Sequence, residues 1–229
     1  MQRDVGVIIV AAGSGSRTGS SELKQFRWVA GKPMLLHSIQ LFQARPDVGM
    51  VVCVLPREFV GDPPPWIFQS DAERLLLSVG GRHRSESVAN GLEDLPTECE
   101  IVVIHDAARP LATSETIGRV IDEARKGHGA VAALPVTDTL KRVDSSGKIV
   151  ITVDRTGLWR AQTPQAFPRE AIERAYREAR ESERFATDDA ALCEHIGLTI
   201  VAVRGSERAH KITEENDFAL VEALSIFRE

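Results

Sequence analysis

Small residues crowd the stretch Ala11-Ala12-Gly13-Ser14-Gly15-Ser16-Arg17, and Lys24 follows seven residues beyond Arg17. Such a loop lets backbone amides close on a polyphosphate, and an arginine and a lysine on the same loop add fixed positive charge. Two familiar phosphate loops fail on spacing. A dinucleotide fingerprint needs a glycine where Thr18 stands, and no glycine is followed by Lys-Ser or Lys-Thr as a P-loop requires. Taken alone, the loop is equally a phosphate cradle or a structural turn. A second chemical feature is Asp106, which ends the apolar run IVVIH at 101–105. A carboxylate at the carboxyl edge of a buried strand lies where ligand crevices open. There it binds a substrate hydroxyl, helps hold Mg²⁺ carried by a triphosphate, or merely caps a turn. Position 108 is alanine, so no Asp-x-Asp metal pair is present. Arg109, three residues on, suits an anionic acceptor or a structural ion pair, whereas His105 points to the opposite face of its strand and reads as structural.

The elements that must position these groups alternate in type. Apolar bursts at 5–10, 49–55, 75–79, 101–105, 129–136 and 198–203 suit strands covered on both faces. Between them, 33–44 places Leu35, Leu36, Ile39 and Phe42 on one helical face behind Pro33. Further helices begin near 85, 113, 169, 187 and 213, four of them at a Ser or Thr suited to capping. The order predicts an α/β fold, a three-layer sandwich with a mainly parallel, Rossmann-like sheet. One stretch breaks the alternation. Two β-rich runs from 138 to 155 flank Asp144-Ser145-Ser146-Gly147 and predict a hairpin. A lone hairpin is marginal in water, so an arm over about 136–156 is expected to rest on its own domain or, as the simpler explanation, on the same arm of a second subunit. The proline-rich segment 61–73 reads as an irregular connection, and no internal repeat is found.

Composition bounds the rest. The chain has 229 residues, 43% hydrophobic and 27% charged, as expected for one packed domain over 1–229 with the arm as an appendage. Its net charge of −5 gives no long-range pull toward nucleic acid or anionic membrane, and 5% scattered aromatics offer no stacking platform. Cys53, Cys99 and Cys193 lack the spacing of a metal site and read as core residues in a reducing compartment. The apolar N-terminal run is too short to span a bilayer. A cytoplasmic protein is expected.

The wider string AAGSGSR, with LKQF at 23–26 and GKP at 31–33, resembles the signature of nucleotidyltransferases of the sugar-nucleotide type. Six further segments narrow the resemblance: GGRHRSESVANGL at 80–92, IHDAARP at 104–110, PVTDTLKRV at 135–143, DRTGLWRAQTPQAF at 154–167, TDDA at 187–190 and HKIT at 210–213. Together they are similar to the 2-C-methyl-D-erythritol 4-phosphate cytidylyltransferases, over nearly the whole chain.

The resemblance implies transfer of a cytidylyl group from CTP to methylerythritol 4-phosphate with release of pyrophosphate, aided by Mg²⁺ or another divalent metal, in a homodimer. It makes Arg17, Lys24 and Lys211 the catalytic cations around the triphosphate. Arg17 can fork across two oxygens, while the lysines act as movable point charges. It gives Ala11, Ala12, Gly13, Gly15, Gly81, Ser87, Asp106 and Ala107 to the nucleotide, with Gly81 and Ser87 near the cytosine. It gives Asp106, Arg109, Thr139, Arg155, Thr163 and Thr187 to the acceptor, Arg155 reaching the site of the neighbouring subunit, and Asp106 to the metal. Two positions depart from the family pattern: Arg82 stands where an acid is common, and Leu23 where proline commonly precedes the loop lysine. Rival readings are a cytidylyltransferase for ribitol 5-phosphate, a silent dimeric nucleotide-binding module, and a nicotinamide-dependent oxidoreductase.

Overall fold

A computed structural model describes residues 3–13, 23–182 and 186–227. The first strand, β1 (Val5–Val10), leads to a small antiparallel pair, β2 (Trp28–Val29) and β3 (Lys32–Pro33), and then to helix α1 (Met34–Gln43). Strand β4 (Val48–Leu55) is followed by the short α2 (Arg57–Val60) and β5 (Leu75–Val79), and the segment between these two holds only 3₁₀ turns. Next come α3 (Arg84–Asp94), β6 (Ile101–Asp106), α4 (Ser114–Arg125) and β7 (Gly129–Pro135). The hairpin strands β8 (Leu140–Val143) and β9 (Ile149–Val153) precede β10 (Trp159–Pro168) and α5 (Arg169–Glu181). The chain closes with α6 (Asp189–His195), β11 (Ile200–Arg204) and α7 (Asn216–Ile226).

Among the described residues the main sheet runs β11-β7-β10-β6-β1-β4-β5. Every neighbouring pair is parallel except those of β10, which lies antiparallel to both β6 and β7. Continuous apolar runs make sense here because both faces are covered. Leu35, Ile39 and Phe42 of α1 and Ile117, Val120 and Ile121 of α4 pack on one face with Val7, Ile9 and Val103. Val88 and Leu92 of α3, Ile172 of α5 and Leu192 of α6 cover the other with Ile8, Val52 and Ile104. This is the expected three-layer sandwich. Cys53, Cys99 and Cys193 are buried and free of disulfides.

Strand β10 has no counterpart among the strands expected from the sequence. Its polar residues Gln162, Thr163 and Gln165 and its Pro164 hide the pattern, since proline argues against an interior strand. The ladder with β7 is interrupted between Ala161 and Gln165, and Thr163-Pro164 is a cis peptide, so the proline sits where pairing is already broken. At the interruption Thr163 meets the end of β6, accepting from the Asp106 amide, and Gln162 donates to the Ser206 carbonyl. Capping differs as well. Of the four expected Ser and Thr caps, Thr113 accepts from the Thr116 amide, but α3 follows His83 and α6 is capped by Asp188, not Thr187. At α7 the role of Thr213 is inverted. Its amide and hydroxyl both donate to Asp217.

The hairpin is present as expected. Asp144 Oδ1 accepts from the amides of Ser146 and Lys148, and Gly147 takes the left-handed φ of 83° that closes the turn. Its two strands form a separate sheet, and Val143, Ile149, Val150 and Ile151 on it are each more than half exposed.

Gly91 lets α3 approach the sheet, because a Cβ there would fall 2.7 Å from Ile8 Cγ2 and 3.1 Å from Val54 Cγ2. Both neighbours are buried and β-branched, so neither yields easily. Gly91→Val is expected to cost about 2 kcal/mol or more through overpacking. An unchanged urea midpoint would show that α3 is free to shift away.

Candidate active site

Two adjoining cavities open at the carboxyl edge of the parallel strands. The larger, ≈ 490 Å³, is lined by Ala11, Ala12 and Gly13 after β1, by Lys24, by Gly81 to Arg84 and Ser87 at the start of α3, by Asp106 and Ala107 after β6, and by Lys211. The smaller, ≈ 250 Å³, is lined by Arg109, Gln162, Thr163, Gln165, Thr187 and Asp188. Arg84, Asp106 and Lys211 belong to both walls. The structure brings the described members of the expected nucleotide set, Ala11, Ala12, Gly13, Gly81, Ser87, Asp106 and Ala107, to the first cavity and Arg109, Thr163 and Thr187 of the expected acceptor set to the second. Gly15 and Arg17 lie outside the described residues. Thr139 and Arg155 lie outside both cavities, exposed near the base of the hairpin, where Arg155 donates to the Thr137 carbonyl.

Close packing shapes the first cavity. A Cβ at Gly80 would fall 2.1 Å from the Cβ of Ala12, so the 11–13 loop and the turn before α3 touch through backbone. The Gly81 amide donates to Ser87 Oγ at 3.1 Å, Ser87 Oγ donates to the His83 carbonyl at 3.2 Å, and the Arg82 amide donates to Glu86 Oε2 at 2.7 Å. The turn is thus tied to the first coil of α3. Glu86 supplies a carboxylate beside Arg82, the position where an acid was expected and is missing.

Charge is concentrated at the shared wall. Lys211 Nζ donates to Asp106 Oδ2 at 2.6 Å, and Arg84 Nε to Asp106 Oδ1 at 3.2 Å. Burial pushes the Asp106 carboxyl up, but Arg84, Lys211 and Arg109 outweigh it and hold the group well below the usual carboxylate range. Asp106 is ionised throughout the neutral range. Lys24 reaches the same place from the opposite side, Nζ donating to the Ile212 carbonyl at 2.7 Å. Arg109 Nη1 donates to the Ala209 carbonyl at 2.7 Å, while its buried Nε has no hydrogen-bond partner among the described residues. The Asp106 amide donates to Thr163 Oγ1 at 3.0 Å, which fixes the acid to β10.

Arg84 was not singled out from the sequence. Its signal was a cation in the first turn of a helix, where the macrodipole is unfavourable and a carboxylate partner is to be expected. It has two such partners, Asp106 and Asp189, the latter 2.8 Å from Nη1.

The donor set also bears on a divalent metal. Among the described residues no group of three His, Cys, Asp or Glu side chains converges, and Asp106 is the single carboxylate facing both cavities. That does not make an all-protein cage. It does fit Mg²⁺ that arrives with a polyphosphate, keeps several waters and needs only one or two carboxylates.

The fold and this site define a nucleotide-binding α/β protein whose anion-ready cavity adjoins a second, smaller one. The family model of 2-C-methyl-D-erythritol 4-phosphate cytidylyltransferase (IspD) matches residues 5–226. The enzyme of that name from Syntrophus aciditrophicus is 41% identical over 226 residues, covering 97% of this chain and 96% of its own. A bifunctional IspD/IspF enzyme from Desulfotalea psychrophila is 38% identical over 94% of this chain, which spans 55% of that longer protein. The crystal structure of the cytidylyltransferase from Thermus thermophilus superposes with a TM-score of 0.82 at 32% identity, covering 99% of this chain and 100% of that one. The chain belongs to the 2-C-methyl-D-erythritol 4-phosphate cytidylyltransferase family.

His105 is fully buried, its ring 5.2 Å from Phe42 in an edge-on contact and within 3.2 Å of Thr163 Oγ1 and the Arg109 carbonyl. Burial lowers its pKa to about 4. The unfolded chain binds this proton near pH 6.5 and the folded one only near 4, so stability falls as pH drops through that window. Between pH 7 and 4.5 the loss from this group is roughly 2–3 kcal/mol. Urea midpoints at the two pH values should converge in His105→Gln relative to the native chain, and an equal decline in both would exclude the histidine as the cause.

Proposed function

We propose that this chain transfers the cytidylyl group of CTP to 2-C-methyl-D-erythritol 4-phosphate, giving 4-diphosphocytidyl-2-C-methyl-D-erythritol and pyrophosphate, in the non-mevalonate isoprenoid pathway. Family membership supports the reaction. The observation that carries the assignment of parts is the pair of cavities joined at Arg84, Asp106 and Lys211. CTP belongs in the larger and the polyol phosphate in the smaller, so that the acceptor oxygen meets the α-phosphorus at the shared wall.

An oxygen of the acceptor phosphate attacks the α-phosphorus in line, the bond to the bridging oxygen breaks, and pyrophosphate leaves with the electron pair. Little is asked of the protein beyond positioning and compensation of charge. Backbone around Ala11 to Gly13 cradles phosphate, and Gly81 and Ser87 present the turn on which the cytosine rests. Lys24 and Lys211, each already oriented by an internal acceptor, compensate the charge that grows on the phosphoryl oxygens and the leaving group. Arg17 is assigned the same task from the first loop. Arg109, with its unsatisfied Nε, and Thr163 and Thr187 hold the acceptor phosphate and polyol. Asp106 together with the triphosphate would hold Mg²⁺, which when bound supplies further neutralisation of phosphate charge.

The second subunit completes this picture. Val143, Ile149, Val150 and Ile151 present apolar surface on an arm whose strands form a sheet of their own, which supports a homodimer built through 136–156. Thr139 and Arg155, remote from their own chain's cavities, then serve the acceptor site of the partner. No helix among the described residues is long and apolar enough to cross a membrane, and we place the enzyme in the cytoplasm with small-molecule substrates, without nucleic acid or membrane partners.

Pyrophosphate release measured with Mg²⁺, for CTP against ATP, GTP and UTP, and for methylerythritol 4-phosphate against ribitol 5-phosphate, tests the reading. Turnover confined to CTP and methylerythritol phosphate is expected. Turnover with ribitol phosphate alone would keep the mechanism and change the acceptor, and CTP binding without turnover in any pairing would leave a binding module. Lys24→Ala should lower kcat by about 10²–10³-fold, the scale for removing one donor aimed at developing charge, with the fold retained. Near-normal turnover would remove Lys24 from the mechanism. Mixing Arg155→Ala chains with Lys24→Ala chains should restore part of the activity, because one of the two sites in each heterodimer is then intact. Stable heterodimers without any recovery would show that each site is built from one chain.

A further inference from the structure

Asp189 opens α6 in full burial, and an acid so placed carries a desolvation cost that only specific partners offset. It has two. The Tyr176 hydroxyl, on α5, donates to Oδ1 at 2.5 Å, and Arg84 Nη1 forms an ion pair with Oδ2 at 2.8 Å, off the line of a hydrogen bond. Arg84 in turn meets Asp106 through Nε alone, which leaves Asp106 Oδ2 to Lys211. A guanidinium is a rigid fork, and beside a single carboxylate it favours a bidentate pair. Asp189 removes one prong of that fork from Asp106. Asp189 itself lines neither cavity, whereas Arg84 lines both.

We infer that Asp189, braced by Tyr176, is a positioning residue for the transfer: it holds Arg84 in a shared pair, so that Asp106 keeps one oxygen for Lys211 and the guanidinium faces the wall between the cavities. The inference rests on the transfer reaction proposed above. Without the Asp189 charge, Arg84 turns onto both oxygens of Asp106 and displaces Lys211, while neither substrate loses a direct contact with residue 189. The loss therefore falls on kcat more than on KM.

The test is a double-mutant cycle in the full-length enzyme with CTP and methylerythritol 4-phosphate. Asp189→Asn keeps the volume and removes the charge, and kcat is expected to fall by about 10-fold, the lower end for groups that orient ligating side chains. KM for CTP should move by less than about 2-fold, as for an interaction made only in the transition state. In an Arg84→Gln background the same substitution should change kcat by less than about 2-fold, because the pair acts as a unit. Tyr176→Phe should show a smaller loss of kcat that also vanishes with Arg84→Gln, and it serves the same cycle where Asp189→Asn does not fold. Additive losses, a change in KM alone, or undiminished kcat in the folded variants would overturn the inference. An inactive native enzyme would instead overturn the transfer reading and the inference with it.

Discussion

The site depends on one ionised carboxylate kept in a largely dry place. Asp106 ends β6 between two covered faces of the sheet, and burial alone would drive it neutral. Lys211 and Arg84, one on each oxygen, reverse that preference. Both cations come from distant parts of the chain, one after the last strand and one from the first turn of α3. The carboxylate thus draws three segments to one edge, and Thr163 on β10 adds a fourth by accepting the Asp106 amide. The larger cavity beside this wall is lined by Lys24, Arg82, Arg84 and Lys211 against the one lining carboxylate Asp106, an excess of cations suited to an anion.

Backbone geometry makes this convergence possible. Parallel strands all end on the same edge, so loops after β1, β5 and β6 meet there without further design. The antiparallel β10 is the exception, and it lines the smaller cavity. It enters between β6 and β7 from the opposite direction, and where its ladder breaks Thr163 meets the Asp106 amide at the end of β6 while Gln162 donates to the Ser206 carbonyl. Ala161, Gln162, Thr163 and Gln165 from the middle of β10 line the smaller cavity.

The layers of the sandwich were legible in the sequence, and so was the hairpin. Apolar runs such as VGVIIV and IVVIH have no other stable use than strands covered on both faces, and the helix after Pro33 shows its buried face at Leu35, Leu36, Ile39 and Phe42. Several residues that line the first cavity, among them Ala11, Ala12, Gly13, Lys24, Gly81, Ser87, Asp106, Ala107 and Lys211, stood in the ordered motifs. Strand β10 was not legible, because its chemistry-bearing residues replace the apolar alternation by which strands are recognised. Arg84, Asp189 and Tyr176 were hidden for a different reason. Each is ordinary in its own helix, and the meaning of the set arises only when α3, α5 and α6 cover the same face of the sheet.

The two lysines show how a binding site can be rigid before its ligand arrives. Lys24 would be a long, solvated side chain with several rotamers to lose on meeting a phosphate. Instead its ammonium already donates to the Ile212 carbonyl, beside the residue whose own ammonium donates to Asp106. The segment that carries both contacts is itself fixed, since the Ile212 amide donates to the Ala108 carbonyl and Asp217 accepts from the amides of Thr213 and Glu214. An ammonium has three donors, so in the proposed reaction Lys211 can meet a phosphate oxygen while still holding Asp106. In the proposed reaction the entropy of ordering these charges is then met by folding, and binding energy is left for the transition state.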